Sequence, residues 1–180
     1  MSLATRLADF ITAVGTDIKS LQAQINALTS STDPWTYRVV AADVTNSTTT
    51  AGDITGLTIP TSLATGKYIL EGKIFFTSAA ATTGIQLGFT FPAQVDLAAM
   101  WQIPAGVGGV NIHHQTVTAV YSGSTAAPAA APADFVGVVD GVFVVNSAMS
   151  AAIIAQQRSE IAGSAVVTKA GSFIRYRKIA

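Results

Sequence analysis

One narrow stripe of apolar residues runs through the first 28 positions of this chain, and it limits the fold more than anything else in the sequence. Leu3, Leu7, Phe10, Val14, Ile18, Leu21, Ile25 and Leu28 follow one another in steps of 4, 3, 4, 4, 3, 4 and 3. Side chains three and four apart share one face of a helix, so Ser2–Leu28 predicts an amphipathic α-helix. A single stripe of this width suits other copies of itself, or a groove on a partner. The extra four-residue step from Val14 to Ile18 makes the middle a hendecad followed by heptads, bringing the repeat close to that of a straight helix. At about 26 residues, or roughly 39 Å, the segment is a short stalk or docking peg and too short for a fibre shaft. Leu3–Phe10 is expected to face a larger particle, and Ile18–Leu28 to hold copies together. Gly15 falls in the long step, where it costs about 1 kcal/mol relative to Ala and points to a kink or a close contact.

After Leu28 the pattern changes from period 3.6 to period 2. TSSTDP ends the helix, because Pro34 holds Asp33 out of the α region. Trp35–Val40 reads as a first strand, Thr45–Gly56 as a polar loop, and Leu57–Pro60 as a short edge strand. In Lys67–Thr77, Tyr68, Leu70, Ile74 and Phe76 alternate with Lys67, Glu71 and Lys73. Gly84–Phe91 repeats that alternation, with Ala79–Thr83 as a hairpin-like connection between the two. Met100–Ile103, Asn111–Tyr121, Phe135–Val145, Ala151–Arg158, Ala165–Thr168 and Ser172–Ile179 follow as further strands. Asp140-Gly141 lies within Phe135–Val145, which is read as one long strand because the next turn comes only at Asn146–Ser150. SGSTAAPAAAP, from Ser122 to Pro132, is a low-complexity loop. About nine strands without a second helix predict a mainly β chain: an antiparallel jelly-roll β-sandwich at 31–180, preceded by an oligomerisation or docking helix at 1–30.

Charge is scarce. Only 11% of the residues are charged while 49% are hydrophobic, against a usual charged share of about 25%. Such a surface is expected to be buried in part between subunits or in a larger assembly. No apolar run is long enough to cross a membrane, so no membrane insertion is expected. Ten basic residues balance ten acidic ones, which gives no basis for a nucleic-acid partner. Arg158, Lys169, Arg175, Arg177 and Lys178 crowd the C-terminal end; the preferred reading is a solvated edge that keeps the sheet from pairing with strangers, the alternative a phosphate-binding patch. Without cysteine there is no disulfide or thiolate chemistry. Arg6, Asp9, Asp17 and Lys19 interrupt any secretory h-region, so synthesis in a host cytoplasm is expected. The sequon at Asn46-Ser47-Thr48 then reads as a polar loop.

Three groups of segments carry a family resemblance. GVFVV, AAIIAQQRSE and AVVTKAGSFIRYRKI resemble the final strands of small jelly-roll domains in tailed-phage virion proteins, which are similar in architecture to tumour-necrosis-factor-like heads. TNSTTTAGDITGL, GKYILEGKIFF and ATTGIQLGF match the same style, and SLATRLADFITAVGTDIKSLQAQI looks like the N-terminal helix such tail, fibre and head-decoration proteins carry. The resemblance implies a homotrimeric virion surface protein, and it assigns no functional residue. By sequence alone the trimer is open: Ile18 and Ile25 alternating with Leu21 and Leu28 is an order that favours two strands in parallel coils.

Catalytic chemistry finds little purchase. His113 and His114 are adjacent and would lie on opposite faces of a strand, so at most one could join a Ser/Asp constellation, and no G-x-S-x-G turn presents a serine. A metal site from either histidine with Asp96 or Asp134 is conceivable, but hydrogen-bonded or solvated histidines are the commoner outcome. The ten acids (Asp9, Asp17, Asp33, Asp43, Asp53, Glu71, Asp96, Asp134, Asp140 and Glu160) scatter through turns and strand ends, and a glycosidase needs two of them in one cleft. Gly106-Val107-Gly108-Gly109 lacks the lysine of a phosphate loop. No enzyme, cofactor or metal is expected.

Trp101 and Tyr121 are the candidate glycan contacts, since aromatics stack on sugar rings, and Trp35 is a plug just after the helix. The expected function is a structural virion protein on the particle surface, a trimeric head-decoration or head-fibre protein whose helix contacts other capsid or tail proteins. The alternatives are a tail-fibre or receptor-binding protein that contacts host surface polysaccharide and, in a third class, a depolymerase.

Overall fold

In the computed structural model, residues 2–30, 34–105, 111–117 and 134–180 are described, with 8, 23, 25–30, 105 and 111–117 described by backbone alone. The chain forms two compact units, Met1–Pro34 and Trp35–Ala180.

The first unit is one continuous helix, α1 (Leu3–Ser30). Ser2 caps it: its hydroxyl accepts from the Thr5 backbone N–H at 3.2 Å and meets the Thr5 hydroxyl at 2.9 Å. The first turn holds no acid and the last turn no base, so the helix dipole has no charge to complement it. A helix of this kind draws most of its stability from covering its apolar side.

The second unit is an antiparallel jelly-roll sandwich, with eleven strands among the described residues. They are β1 (Thr36–Val39), β2 (Val44–Asn46), β3 (Gly52–Ile59), β4 (Gly66–Ser78), β5 (Ile85–Thr90), β6 (Val95–Ala105), β7 (Asn111–Val117), β8 (Phe135–Val145), β9 (Ile153–Ser159), β10 (Val166–Thr168) and β11 (Phe173–Lys178). The larger sheet runs β1-β11-β4-β8-β6-β7, with β10 bridging β2 and β4; the smaller runs β3-β9-β5. Every pairing is antiparallel.

The alternation in the sequence becomes the core. Tyr68, Leu70, Ile74 and Phe76 of β4 face Ile85, Leu87 and Phe89 of β5 across the sandwich, all buried. Phe89 stacks on Trp101 with ring centroids 5.4 Å apart, and Tyr68 on Phe143 at 4.9 Å. Asp140-Gly141 lies inside β8 as expected, with β8 paired along its whole length to β4. Gly141 is needed there because an added Cβ would stand 2.6 Å from the Ala99 Cα of β6.

Three expectations change. Ala79–Thr83 is a crossing between sheets and no hairpin: β4 belongs to the large sheet and β5 to the small one. The crossing is held by Ser78 donating to the Thr83 carbonyl at 2.8 Å and by Thr83 and Ser164 hydroxyls 2.5 Å apart. Both strands bury their apolar faces in one core from opposite sides, which a hairpin in a single sheet could not do. Thr45–Gly56 is mostly strand, because β2 and the start of β3 find partners in β10 and β9. The basic C-terminal residues are not an edge either. β11 is flanked by β1 and β4, and β9 is the centre of the small sheet.

One polar side chain stands at the middle of this core. Gln157 of β9 is 0% exposed, donates to the Val44 carbonyl at 2.7 Å and accepts from the Thr168 hydroxyl at 2.6 Å. It joins β9 to β2 and β10, leaving its amide satisfied as a buried polar group must be.

Candidate functional site

The helix carries its apolar stripe uncovered. Leu3 is 84% exposed, Phe10 65% and Ile18 60%, and Leu7, Val14 and Leu21 are also exposed. Ile25 and Leu28 continue the spacing on described backbone, with side chains outside the described residues. Ile11, four residues after Leu7, is exposed as well and widens the stripe at its N-terminal half; the i, i+4 spacing already held that signal. α1 runs without a break through Gly15, and an added Cβ there would meet nothing within 4 Å.

The outer face of the large sheet is the second uncovered apolar surface. Strand parity puts Tyr37 and Val39 of β1, Ile69 and Phe75 of β4, and Val136 and Val142 of β8 on it. Tyr37, Val39, Val136 and Val142 are exposed. Across the small sheet the outward positions are polar instead: Asp53 accepts from Gln156 at 2.7 Å, and Arg158 hydrogen-bonds Gln86. The outward positions of the small sheet are mostly polar, while those of the large sheet mix exposed apolar side chains with charged ones.

Charges sit within the apolar face in a fixed order. Register aligns Tyr37, Arg175, Glu71, Asp140 and Met100 in one row across five strands. Arg175 donates to Glu71 from two nitrogens, at 3.0 and 2.6 Å, and to the Tyr37 hydroxyl at 3.1 Å. The Tyr37 and Glu71 hydrogen bonds raise the Arg175 pKa. Trp35 lies beneath Arg175 and Arg177, whose guanidinium carbons are 4.4 and 5.0 Å from its ring centroid. Trp35 is thus a half-buried cation–π platform of the sandwich. Glu71, Lys73, Val138, Asp140, Phe173 and Arg175 border a cleft of about 290 Å³ on this face.

The remaining candidates do not converge. Trp101 is 0% exposed, so the expected glycan contact is corrected: it is a core residue packed on Phe89. Among the described residues its indole N–H, and the Nε of Arg38 and Arg177, are buried without a hydrogen-bond partner. Tyr121 lies outside the described residues, as do the side chains of His113 and His114, whose backbones stand opposite Ile103 and Gln102. Among the described residues no three His, Cys, Asp or Glu are grouped to hold a metal, and no helix is long and apolar enough to cross a membrane. The sequon asparagine is committed: the Asn46 amide nitrogen donates to the Thr50 and Gln157 carbonyls at 3.0 and 2.9 Å, and its oxygen accepts from Thr48. Asp43 accepts from Lys169 at 2.5 Å and from the Ala170 N–H at 2.8 Å, contacts that hold its carboxyl below the ordinary range and raise the Lys169 pKa.

No protein-family model and no curated protein matches the chain. Among solved structures, the Eiger TNF of S. frugiperda is similar at 13% identity and a TM-score of 0.36, over 82% of this chain and 94% of that one. Murine APRIL is similar at 14% identity and a TM-score of 0.41, over 81% and 98%. The CBM22-1 xylan-binding domain of Paenibacillus barcinonensis Xyn10C follows at 14% and 0.33, over 83% and 89%. No family assignment follows from these.

Proposed function

We propose that this protein is a structural component of a tailed-phage particle, a homotrimer displayed on the virion surface and anchored there by its N-terminal helix. The observation that carries this role is the uncovered stripe on α1, six described apolar side chains in one line that a lone chain leaves in water. Burying apolar surface is worth about 25 cal/mol per Å², so copies or a virion groove that cover the stripe gain on contact. The apolar outer face of the large sheet supports self-association in the same way, and the polar face of the small sheet suits display to solvent.

The role assigns no catalysis to the chain. Antibody labelling of intact particles tests it and separates the two placements. Many copies over the shell fit a head-decoration or head-fibre protein; a few copies at the tail end fit the alternative, a tail fibre that contacts host surface glycans. A purified particle whose shell and tail both lack the protein removes the proposal.

A further inference from the structure

We infer that copies of this chain pack side by side around a rotation axis through the outer face of the large sheet, with Asp140 of one copy paired to Arg177 of the next. This rests on the self-association proposed above and names the surface and the charges that direct it. On β8, Asp140 stands directly opposite Glu71 in the register with β4, a like-charge pairing that is unfavourable on a sheet. Arg175 neutralises Glu71 from the other side, at 2.6 Å. Among the described residues Asp140 makes no ion pair; Val138, Val142 and Met100 are its apolar neighbours, and Lys73, diagonal to it on β4, borders the same cleft without pairing with it.

The matching cation is on the same face, two strands away on β11 with β4 between. Arg177 of β11 rests against the Trp35 ring, makes no hydrogen bond or ion pair among the described residues, and has a buried Nε with no acceptor. Register places Arg177 in a row with Ile69 and Val142, so the unmatched cation and the unmatched anion are separated by apolar side chains of the face between them. Burying that face without pairing them would strand two charges. A two-fold contact and a head-to-tail contact both pair them, and the trimer proposed above selects the head-to-tail arrangement, with β11 of one copy on β8 of the next. Such a contact leaves an open chain unless the rotation closes, and a ring of three closes it for the proposed trimer. The cleft beside Asp140, bordered by Glu71 and also by Lys73 and Arg175, then receives the neighbour's guanidinium on its Asp140 side.

Sedimentation velocity of the full chain over a dilution series tests the pairing. D140N and D140R are expected to weaken assembly by about 30-fold or more, with circular dichroism unchanged because Asp140 is exposed. R177D is expected to weaken it likewise, and D140R/R177D to recover most of the loss. Assembly unaltered in D140N and D140R overturns the inference and leaves self-association standing. A doubly swapped chain that folds but does not recover overturns it too. A wild-type chain that is monomeric throughout removes the inference and the proposed homotrimer together. A parallel series on L7D/I18D tells helix-driven assembly from sheet-driven assembly.

Discussion

Replacing Gln157 by leucine should destabilise the sandwich far more than its change in size suggests. The side chain is wholly buried and its two hydrogen bonds, to Val44 and from Thr168, run to different strands. Leucine removes both and leaves the Val44 carbonyl and the Thr168 hydroxyl without partners in the interior. Each orphan costs about 1–3 kcal/mol, and leucine's better transfer offsets about 1. The expected loss is about 3 kcal/mol, or roughly 6–12 °C in a domain of this size. T168V removes the other end and orphans only the glutamine oxygen, for about 1–2 kcal/mol. In Q157L/T168V just the Val44 carbonyl stays unmatched, so the two other orphans vanish and the double variant should cost about 3–4 kcal/mol less than the sum of the singles. Urea unfolding at fixed protein concentration, followed by tryptophan fluorescence, measures all three, and the slope with denaturant should not change. A Q157L loss under about 0.5 kcal/mol, or additive singles, would refute the buried node.

Three other substitutions have definite signs. G15A should stabilise α1 by about 1 kcal/mol, since its Cβ meets nothing within the chain; a lower melting temperature at 222 nm would show that another helix packs on Gly15. G141A forces β8 away from β6 at the 2.6 Å contact with Ala99, and about 3 kcal/mol of lost stability is expected; a neutral result would contradict the strand spacing. D43N should flatten the acid limb of the stability–pH curve. The Asp43 pKa is depressed when folded, so its contribution is present above the unfolded pKa and fades as pH falls through the folded one; a limb identical to wild type in a pH-jump melting series would remove the Asp43–Lys169 contribution.

The strands were legible where one face alone is buried. In β4 the alternation of Tyr68, Leu70 and Ile74 with Lys67, Glu71 and Lys73 marks both the element and its inward side. Sheet membership was not legible, because the same alternation serves either sheet: β4 and β5 look like a hairpin and lie across the core from one another. β8 held a signal that is plain in hindsight. VGVVDGVFVV is apolar at both parities, the pattern of a strand covered on both faces. Its outward residues, Val136 and Val142, are the exposed ones, and they mark the candidate assembly surface. Trp101 misled because an aromatic residue beside Met100 and Ile103 reads equally as platform or core, and only the Phe89 stack decides it. The arginines misled because clustering in sequence says nothing about which strand ends at the sheet's edge; β11 lies inside, and Trp35 of the preceding chain segment takes up the two guanidinium groups.

Self-association is the claim on which the rest depends, and the mass of the full-length chain in solution tests it most directly. Sedimentation equilibrium should give three times the 18.5 kDa of the single chain, falling toward one chain mass when Leu7 and Ile18 are replaced by aspartate. A wild-type protein that stays at the mass of one chain at the highest concentration reached would contradict it.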